Sequence, residues 1–209
     1  FVAIGAQSGR KLGLEGESTE QVISGVEFLR KINLAEKTTV NGKVVVIGGG
    51  NVAIDVARSS VRLDNVTQTD LYCLESRENM PAHKEEVEEA LGEEVGINNS
   101  WGPTKIITKD GKVTGIEFKR CISTFDSEGR FNPQFDESDR RTVECDYVRL
   151  SVGKTFEYAD LFQGELVNFT KRNTIEVHPI TLQSSKDDIF SGVDVASGPK
   201  LAIDAIAAG

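Results

Sequence analysis

The chain has 209 residues, a formal net charge of −9 at pH 7 and 38% hydrophobic residues. That length fits one large domain or two small ones, and the apolar runs are too short to span a membrane. The acidic sequence lacks a basic cluster, which excludes nucleic acid as a natural partner. Its three cysteines form no C-x-x-C pair, which excludes a disulfide framework. We therefore expect a cytoplasmic globular protein that binds neither nucleic acid nor a membrane.

Hydrophobic spacing predicts an alternation of strands and helices in the first half of the chain. Residues 1–5 predict a buried strand that ends in a glycine turn. Because a natural chain seldom begins inside a strand, we expect this sequence to be a fragment of a longer protein. Ser18 and Gln21 have the spacing of a capping box, so a helix of about three turns is expected after them. Residues 43–74 then predict strand, glycine turn, helix and strand, which is the length of a parallel βαβ unit.

The second half of the sequence predicts a change to antiparallel strands. An Asp110-Gly111 turn between two β-branched runs is typical of a β-hairpin. The other predicted elements are an acidic helix at 82–94, a polar surface loop at 123–141, a strand at 142–152 and an apolar helix at 201–209. We therefore predict an α/β protein with a Rossmann-like βαβ nucleotide-binding domain and an inserted β-hairpin or meander.

A glycine-rich motif lies between the first strand of the βαβ unit and its helix. It has the form G-x-G-x-x-A and consists of Gly48, Gly49, Gly50, Asn51, Val52 and Ala53. Gly48 permits the tight turn, Gly50 lets a pyrophosphate approach the backbone, and Ala53 lets helix and strand pack closely. The free N–H groups and dipole of the helix N-terminus would hold the anion. The alternative is an α/β fold whose glycines only make a tight turn.

An acidic residue just past the second strand completes the pattern of a dinucleotide site. Glu75 follows the motif at the distance of about 20 residues that this site requires. A carboxylate there accepts hydrogen bonds from the ribose hydroxyls of an adenine dinucleotide. The alternative for Glu75 alone is a solvated strand end. His83 and His178 lack metal-ligand spacing, so no metal site is expected.

Part of the sequence resembles the NAD(P)H-binding domain of the glutamate synthase small-subunit family, namely the run KVVVIGGGNVAIDVARSSVRL followed by SRENMPA. The members of this family are FAD-dependent pyridine nucleotide oxidoreductases. The opening turn at Gly5 and the tail with Gly192 and Asp194 are also similar to the family pattern, whereas the likeness is weak between 104 and 188. In this family the nucleotide domain is inserted into a flavin domain. The resemblance thus implies an NAD(P)H-binding domain at 36–155, flanked by partial flavin-domain segments at 1–35 and 156–209.

The resemblance also implies which residues lie near the flavin. They are Gly5, Gly153, Gly192 and Asp194, although the loops around the last three depart from the family sequence. The glycine fingerprint that holds FAD in this family, and its iron–sulfur-binding N-terminal region, have no counterpart in this sequence. We therefore expect FAD in the full-length protein, with the missing flavin and iron–sulfur region and a separate electron-accepting subunit as partners. We expect this chain alone not to retain FAD.

The choice between NADH and NADPH follows from the residues after the second strand. Many relatives place paired arginines there, and these positions correspond to Leu74 and Glu75 in this sequence. Arg77 is the basic residue that remains nearby, and it could reach a phosphate. We expect NADH to be preferred, because Glu75 would repel the 2′-phosphate of NADPH.

The resemblance implies a flavoprotein oxidoreductase in which NAD(P)H gives hydride to FAD and electrons pass through iron–sulfur centres to a partner. Because the cofactors carry this chemistry, we expect no catalytic side chain here and no activity from this chain alone. The alternative is a non-catalytic dinucleotide-binding module with a regulatory or scaffolding role, which would need the same glycine turn.

Overall fold

A computed structural model describes residues 1–34, 39–158, 161–162, 167–200 and 202–208. The strands are β1 (Ser8–Gly9), β2 (Val22–Ser24), β3 (Gly42–Ile47), β4 (Val66–Cys73), β5 (Gly96–Asn99), β6 (Trp101–Lys109), β7 (Lys112–Phe125), β8 (Phe131–Glu144), β9 (Tyr147–Leu150) and β10 (Lys154–Thr155). The helices are α1 (Gly25–Asn33), α2 (Asn51–Val61), α3 (Lys84–Gly92), α4 (Asp194–Ser197) and α5 (Ala202–Ala208), with a 3-10 turn at Arg77–Asn79.

Contacts divide the chain into two compact units. The larger unit comprises Gly9–Gly153, and the smaller one comprises Phe1–Ser8 and Lys154–Gly209. The predicted boundary between the first flavin-domain segment and the NAD(P)H-binding domain is at residue 35, which lies outside the described residues. Helix α1, expected on the flavin side of that boundary, instead belongs to the larger unit, because Phe28 is fully buried in the core that α1 shares with α2 and α3.

A five-stranded parallel sheet with the order β2-β9-β3-β4-β5 forms the centre of the larger unit. Strands β3 and β4 are neighbours joined through α2, which confirms the predicted βαβ unit. Val44 and Val46 of β3 face the core that contains the helices, whereas Val45 and Ile47 face a second core. Because both faces of the sheet are covered, β3 is a continuous apolar run.

A three-stranded antiparallel sheet, β6-β7-β8, contributes the residues of the second core. Tyr72 of β4 stacks on Phe118 of β7 with ring centroids 4.2 Å apart. The predicted hairpin is confirmed as β6 and β7, and Asp110 and Gly111 both have positive φ, as the tight turn between twisted strands requires. The larger unit therefore consists of helices, a parallel sheet and an antiparallel sheet, which confirms the predicted α/β class and its inserted meander.

The capping box predicted at Ser18 and Gln21 is wrong. Helix α1 begins at Gly25, and Ser24 is its N-cap, with an Oγ that accepts a hydrogen bond from the backbone N–H of Glu27 at 3.2 Å. The three preceding residues form β2, which pairs with β9 along the edge of the parallel sheet. Pairing with a distant strand therefore overrides the helical spacing of Val22 and Ile23.

The surface loop predicted at 123–141 is also wrong, and the strand predicted at 142–152 is divided between two strands. Residues Phe131–Glu144 form one long strand, β8, and the chain turns at Cys145 before β9 begins at Tyr147. β8 is the edge of its sheet, so its outer side is exposed and polar, and ion pairs such as Lys119–Glu137 at 2.7 Å link it to β7. The prediction also misses β5, a short strand with one large apolar residue.

The smaller unit has its own core, which includes Phe156, Ile175 and Val195. The strand predicted at 1–5 is wrong, since this segment contributes one isolated bridge between Val2 and Ser191, and Phe1 is 73% exposed.

The predicted acidic and terminal helices are confirmed as α3 and α5, although residues 201 and 209 lie outside the described part. No helix among the described residues is long and apolar enough to cross a membrane.

Candidate functional site

The glycine motif forms the turn between β3 and α2, at the carboxyl edge of the parallel sheet. Gly48 has φ +140, and its N–H donates to the carbonyl oxygen of Tyr72 on β4 at 2.9 Å. A Cβ at Gly48 would collide with the carbonyl oxygen of Ser151, which follows β9. Since β4 and β9 lie on opposite sides of β3, this turn lies at the point where the strand order reverses, which is the usual ligand crevice of such sheets.

Gly48→Ala is expected to lower the free energy of unfolding by about 1–3 kcal/mol, because alanine is strained at this φ and its Cβ meets backbone. Urea denaturation followed by circular dichroism measures the change. Gly50→Ala is the matched control and is expected to have the smaller effect, because its φ is unstrained and its Cβ would meet no atom within 4 Å. An unchanged midpoint for Gly48→Ala would contradict the tight turn.

The amino terminus of α2 is open. Gly50 is the N-cap residue, with φ −94 and ψ 175, no side chain caps the helix, and the first turn holds no acidic residue. A Cβ at Gly50 would meet no atom within 4 Å. The N–H of Ala53 donates to the carbonyl oxygen of Gly50 at 2.9 Å, so the N–H groups that can bind an anion here are those of the first two residues of the helix, Asn51 and Val52.

The other residues of the motif hold the turn in place. Ala53 is fully buried, and Val52 packs against the core that contains the helices. The Asn51 Oδ1 accepts a hydrogen bond from the backbone N–H of His83 at 2.9 Å, which joins the start of α2 to the start of α3. The carbonyl oxygen of Gly49 accepts from the N–H of Ala82 at 3.1 Å.

Glu75 lies beside the same turn. Its Oε2 is 2.7 Å from the position that a Cβ of Gly49 would take. Its backbone is fixed, because its carbonyl oxygen accepts from the N–H of Ser100 at 3.0 Å and from the Nδ2 of Asn99 at 3.2 Å. The backbone of Glu75 therefore places its carboxylate next to the glycine turn.

Arg77 is not among the residues that line the cleft. It lies in the 3-10 turn after β4, and its Nη2 donates to the Oε1 of Glu88 on α3 at 2.8 Å. This ion pair is largely exposed, with 37% of the Arg77 side chain and 71% of the Glu88 side chain accessible. The guanidinium of Arg77 thus points to an acidic partner on α3.

A cleft of about 320 Å³ brings together several predicted residues, namely Gly48, Gly49, Gly50, Glu75 and Gly153. This volume is within the range of small-molecule sites. The prediction from the sequence misses the other residues that line it, among them Leu12, Trp101 and Phe131. Leu12 is positioned by Glu17, whose carboxylate accepts from the N–H groups of Leu12 and Leu14. Neither periodicity nor a motif connects these residues to the glycine turn.

The cysteine in the cleft is not a reactive thiol. Burial raises the pKa of Cys73 to about 12, so the thiol is neutral at physiological pH, and it accepts a hydrogen bond from the Nδ2 of Asn99 at 3.2 Å. Burial likewise raises the pKa of Cys145 to about 12. Among the described residues, no group of three or more His, Cys, Asp or Glu side chains is placed to hold a metal ion.

The remaining predicted residues belong to the smaller unit. Gly5 has φ +70 and lines a hollow of about 290 Å³ together with Gln7 and Tyr158. Gly192 donates its N–H to the carbonyl oxygen of Val2 at 3.3 Å. Asp194 begins α4, and its Oδ1 accepts from the N–H of Lys200 at 3.2 Å.

The sequence matches the family described as pyridine nucleotide-disulphide oxidoreductase over residues 1–209. It is 35% identical to the NADP(+)-dependent formate dehydrogenase subunit beta of Moorella thermoacetica, over 100% of this chain and 30% of that protein. It is 30% identical to the NADPH-Fe(3+) oxidoreductase subunit beta of Geobacter sulfurreducens, over 95% of this chain and 29% of that protein. It is also 30% identical to the glutamate synthase [NADPH] small chain of Azospirillum brasilense, over 99% of this chain and 45% of that protein.

The chain thus spans less than half the length of each of these relatives. Among solved structures, it is similar to Mycobacterium tuberculosis FprA in complex with NADPH, with a TM-score of 0.75 and 17% identity over 96% of this chain and 58% of that one. It is also similar to thioredoxin reductase from T. acidophilum, with a TM-score of 0.64 and 20% identity over 93% and 56% of the two chains. At these identities the structural likeness concerns the fold.

Proposed function

Because the chain belongs to the pyridine nucleotide-disulphide oxidoreductase family, we propose that its larger unit binds NAD(P)H as the reductant of a longer flavoprotein oxidoreductase. The observation that carries this proposal is the open amino terminus of α2, where Gly50 leaves free space beside N–H groups that no side chain caps. A pyrophosphate fits this position because it needs both a close approach to the backbone and several N–H donors.

The carboxylate of Glu75 supports the same assignment. It lies beside Gly49, and both residues line the cleft that contains the turn. A pyrophosphate at Gly50 would bring the adjoining ribose within reach of this carboxylate, which accepts hydrogen bonds from hydroxyl groups. When bound, the dinucleotide supplies the hydride, so the side chains of this unit act by binding and orientation.

The names of the three relatives support NAD(P)H as the nucleotide class, and all three specify NADP(H). The preference for NADH is our finer proposal and would separate this chain from them. It rests on Glu75 beside the turn and on Arg77 in its pair with Glu88.

For the flavin, we propose that the smaller unit contributes Gly5, Gly192 and Asp194 to a site that a longer chain completes. The 209 residues contain no second G-x-G-x-x-G motif, so these residues do not by themselves fit a whole FAD. We therefore derive no step through the flavin, and we propose that this chain alone does not retain it. A flavin and iron–sulfur region and a separate electron-accepting subunit are proposed as partners.

Titration of the chain with NADH tests the proposed function. Trp101 is the single tryptophan and it lines the cleft, so its emission reports directly on a bound nicotinamide ring or base. We expect quenching of this emission and calorimetric binding of one NADH per chain, with a Kd below about 1 mM. A folded chain that shows neither signal at that concentration would overturn the proposal.

A further inference from the structure

The tip of the β7–β8 hairpin carries an exposed aromatic pair. Phe125 ends β7 and Phe131 begins β8, and their ring centroids are 6.0 Å apart in an edge-on arrangement. The two side chains are 50% and 63% exposed. The turn between them is ordered by Asp126, whose Oδ1 accepts from the N–H groups of Glu128 and Arg130. The hairpin therefore holds large apolar side chains in water in a defined conformation.

One of these rings, Phe131, lines the cleft that contains the glycine turn. Two hydrogen bonds link β7 of the same hairpin, through Ser100, to Glu75, which follows β4. The N–H of Cys121 donates to the carbonyl oxygen of Ser100 at 2.9 Å, and the N–H of Ser100 donates to the carbonyl oxygen of Glu75 at 3.0 Å. Strand β7 of the hairpin is thus attached at Cys121 on the side of the turn where Glu75 lies.

Two aromatic side chains are found among the described residues that line the cleft, and they differ in accessibility. Trp101 is 5% exposed, and the guanidinium groups of Arg141 and Arg120 lie over its ring at 4.3 and 5.2 Å. It is therefore a packed part of the wall. Phe131 keeps most of its surface accessible, so its ring is the one that can stack on a planar ligand.

We propose that Phe131 is a positioning residue that stacks on the adenine of the dinucleotide and so holds the adenosine half in the cleft. This inference rests on the proposed function. It follows from the shared location of Phe131 and Glu75, because the ribose that a carboxylate in this position binds is the one attached to adenine. Stacking between an aromatic side chain and a base is worth roughly a 5- to 150-fold change in affinity.

The test compares NADH with ADP-ribose, which contains the adenosine half and lacks nicotinamide. Phe131→Ala is expected to weaken both ligands about tenfold by calorimetry, and Phe131→Tyr is expected to retain wild-type affinity. Ile122→Ala is the matched control, since Ile122 is 69% exposed on the same hairpin and does not line the cleft. It is expected to change neither affinity.

The outcomes separate this inference from the proposed function. Unchanged ADP-ribose affinity in Phe131→Ala would overturn the inference, and weakening of NADH alone would assign the ring to nicotinamide instead. An unmodified chain that binds neither ligand would overturn the proposed function itself. Phe131 is mostly exposed, so its substitution leaves the core intact, and circular dichroism of each variant checks this.

Discussion

Gly50→Val is expected to weaken NADH binding more than tenfold while lowering the free energy of unfolding by no more than about 1 kcal/mol, because valine is a poorer N-cap residue than glycine. The side chain would fill the space beside the first N–H groups of α2, which is where the pyrophosphate is proposed to lie. The fold tolerates the change, because Gly50 has φ −94 and ψ 175, a conformation that valine adopts, and no atom lies within 4 Å of its Cβ position. Calorimetry with NADH and urea denaturation measure the two effects separately.

Gly92→Val provides a matched control for this variant. Gly92 ends α3, and a Cβ there also meets no atom within 4 Å. The control is expected to bind NADH with unchanged affinity. Wild-type affinity in Gly50→Val would show that the dinucleotide does not contact this turn. Unfolding of Gly50→Val would contradict the open geometry of Gly50.

The second prediction with a large expected effect concerns the preference for one nucleotide: we expect NADH to bind at least tenfold more tightly than NADPH. Glu75 beside the turn can accept hydrogen bonds from the ribose hydroxyls of NADH, whereas the 2′-phosphate of NADPH would meet its negative charge. Two like charges about 4 Å apart repel by ~4 kcal/mol at an effective dielectric constant near 20. A tenfold difference in affinity requires only about 1.4 kcal/mol.

Arg77 acts in the opposite direction. It could bind the phosphate, but in the structure it donates to Glu88 at 2.8 Å. An exposed pair of this kind contributes about 0–1 kcal/mol, so Arg77 could leave it at little cost. Its attraction to the 2′-phosphate would, however, first have to offset the repulsion from Glu75, whereas NADH meets no such repulsion. NADH is therefore expected to be preferred.

Titration of NADH and NADPH against a small set of variants tests this balance. Glu75→Gln keeps the shape of the side chain and removes its charge, so it is expected to bring the two affinities close together. Leu74→Arg with Glu75→Arg is expected to reverse the preference, since both positions line the cleft. Arg77→Ala is expected to weaken NADPH alone. Tighter binding of NADPH by the unmodified chain would show that Arg77 dominates.

The βαβ unit and its glycine turn could be predicted from the sequence because their signals are local. The apolar run of β3, the glycines and the small residue Ala53 are contiguous, and each is required by the conformation of its own segment. Glu75 could be predicted because the length of a βαβ unit determines where its second strand ends. The Asp110-Gly111 hairpin could be predicted for the same reason, since its turn needs two residues with positive φ.

Some features depend on contacts between segments that are far apart in the sequence, and only the tertiary structure determined these. β2 is a strand because β9 lies beside it. β8 is an edge strand in which most side chains are exposed and none is buried, so its sequence has no apolar pattern. The same pairing brings Phe131 into the cleft, far along the chain from the glycine turn. Arg77 pairs with Glu88 because α3 packs next to the turn that follows β4. A local sequence pattern carries no information about such contacts, because each forms between segments whose separation in space is determined by the whole fold.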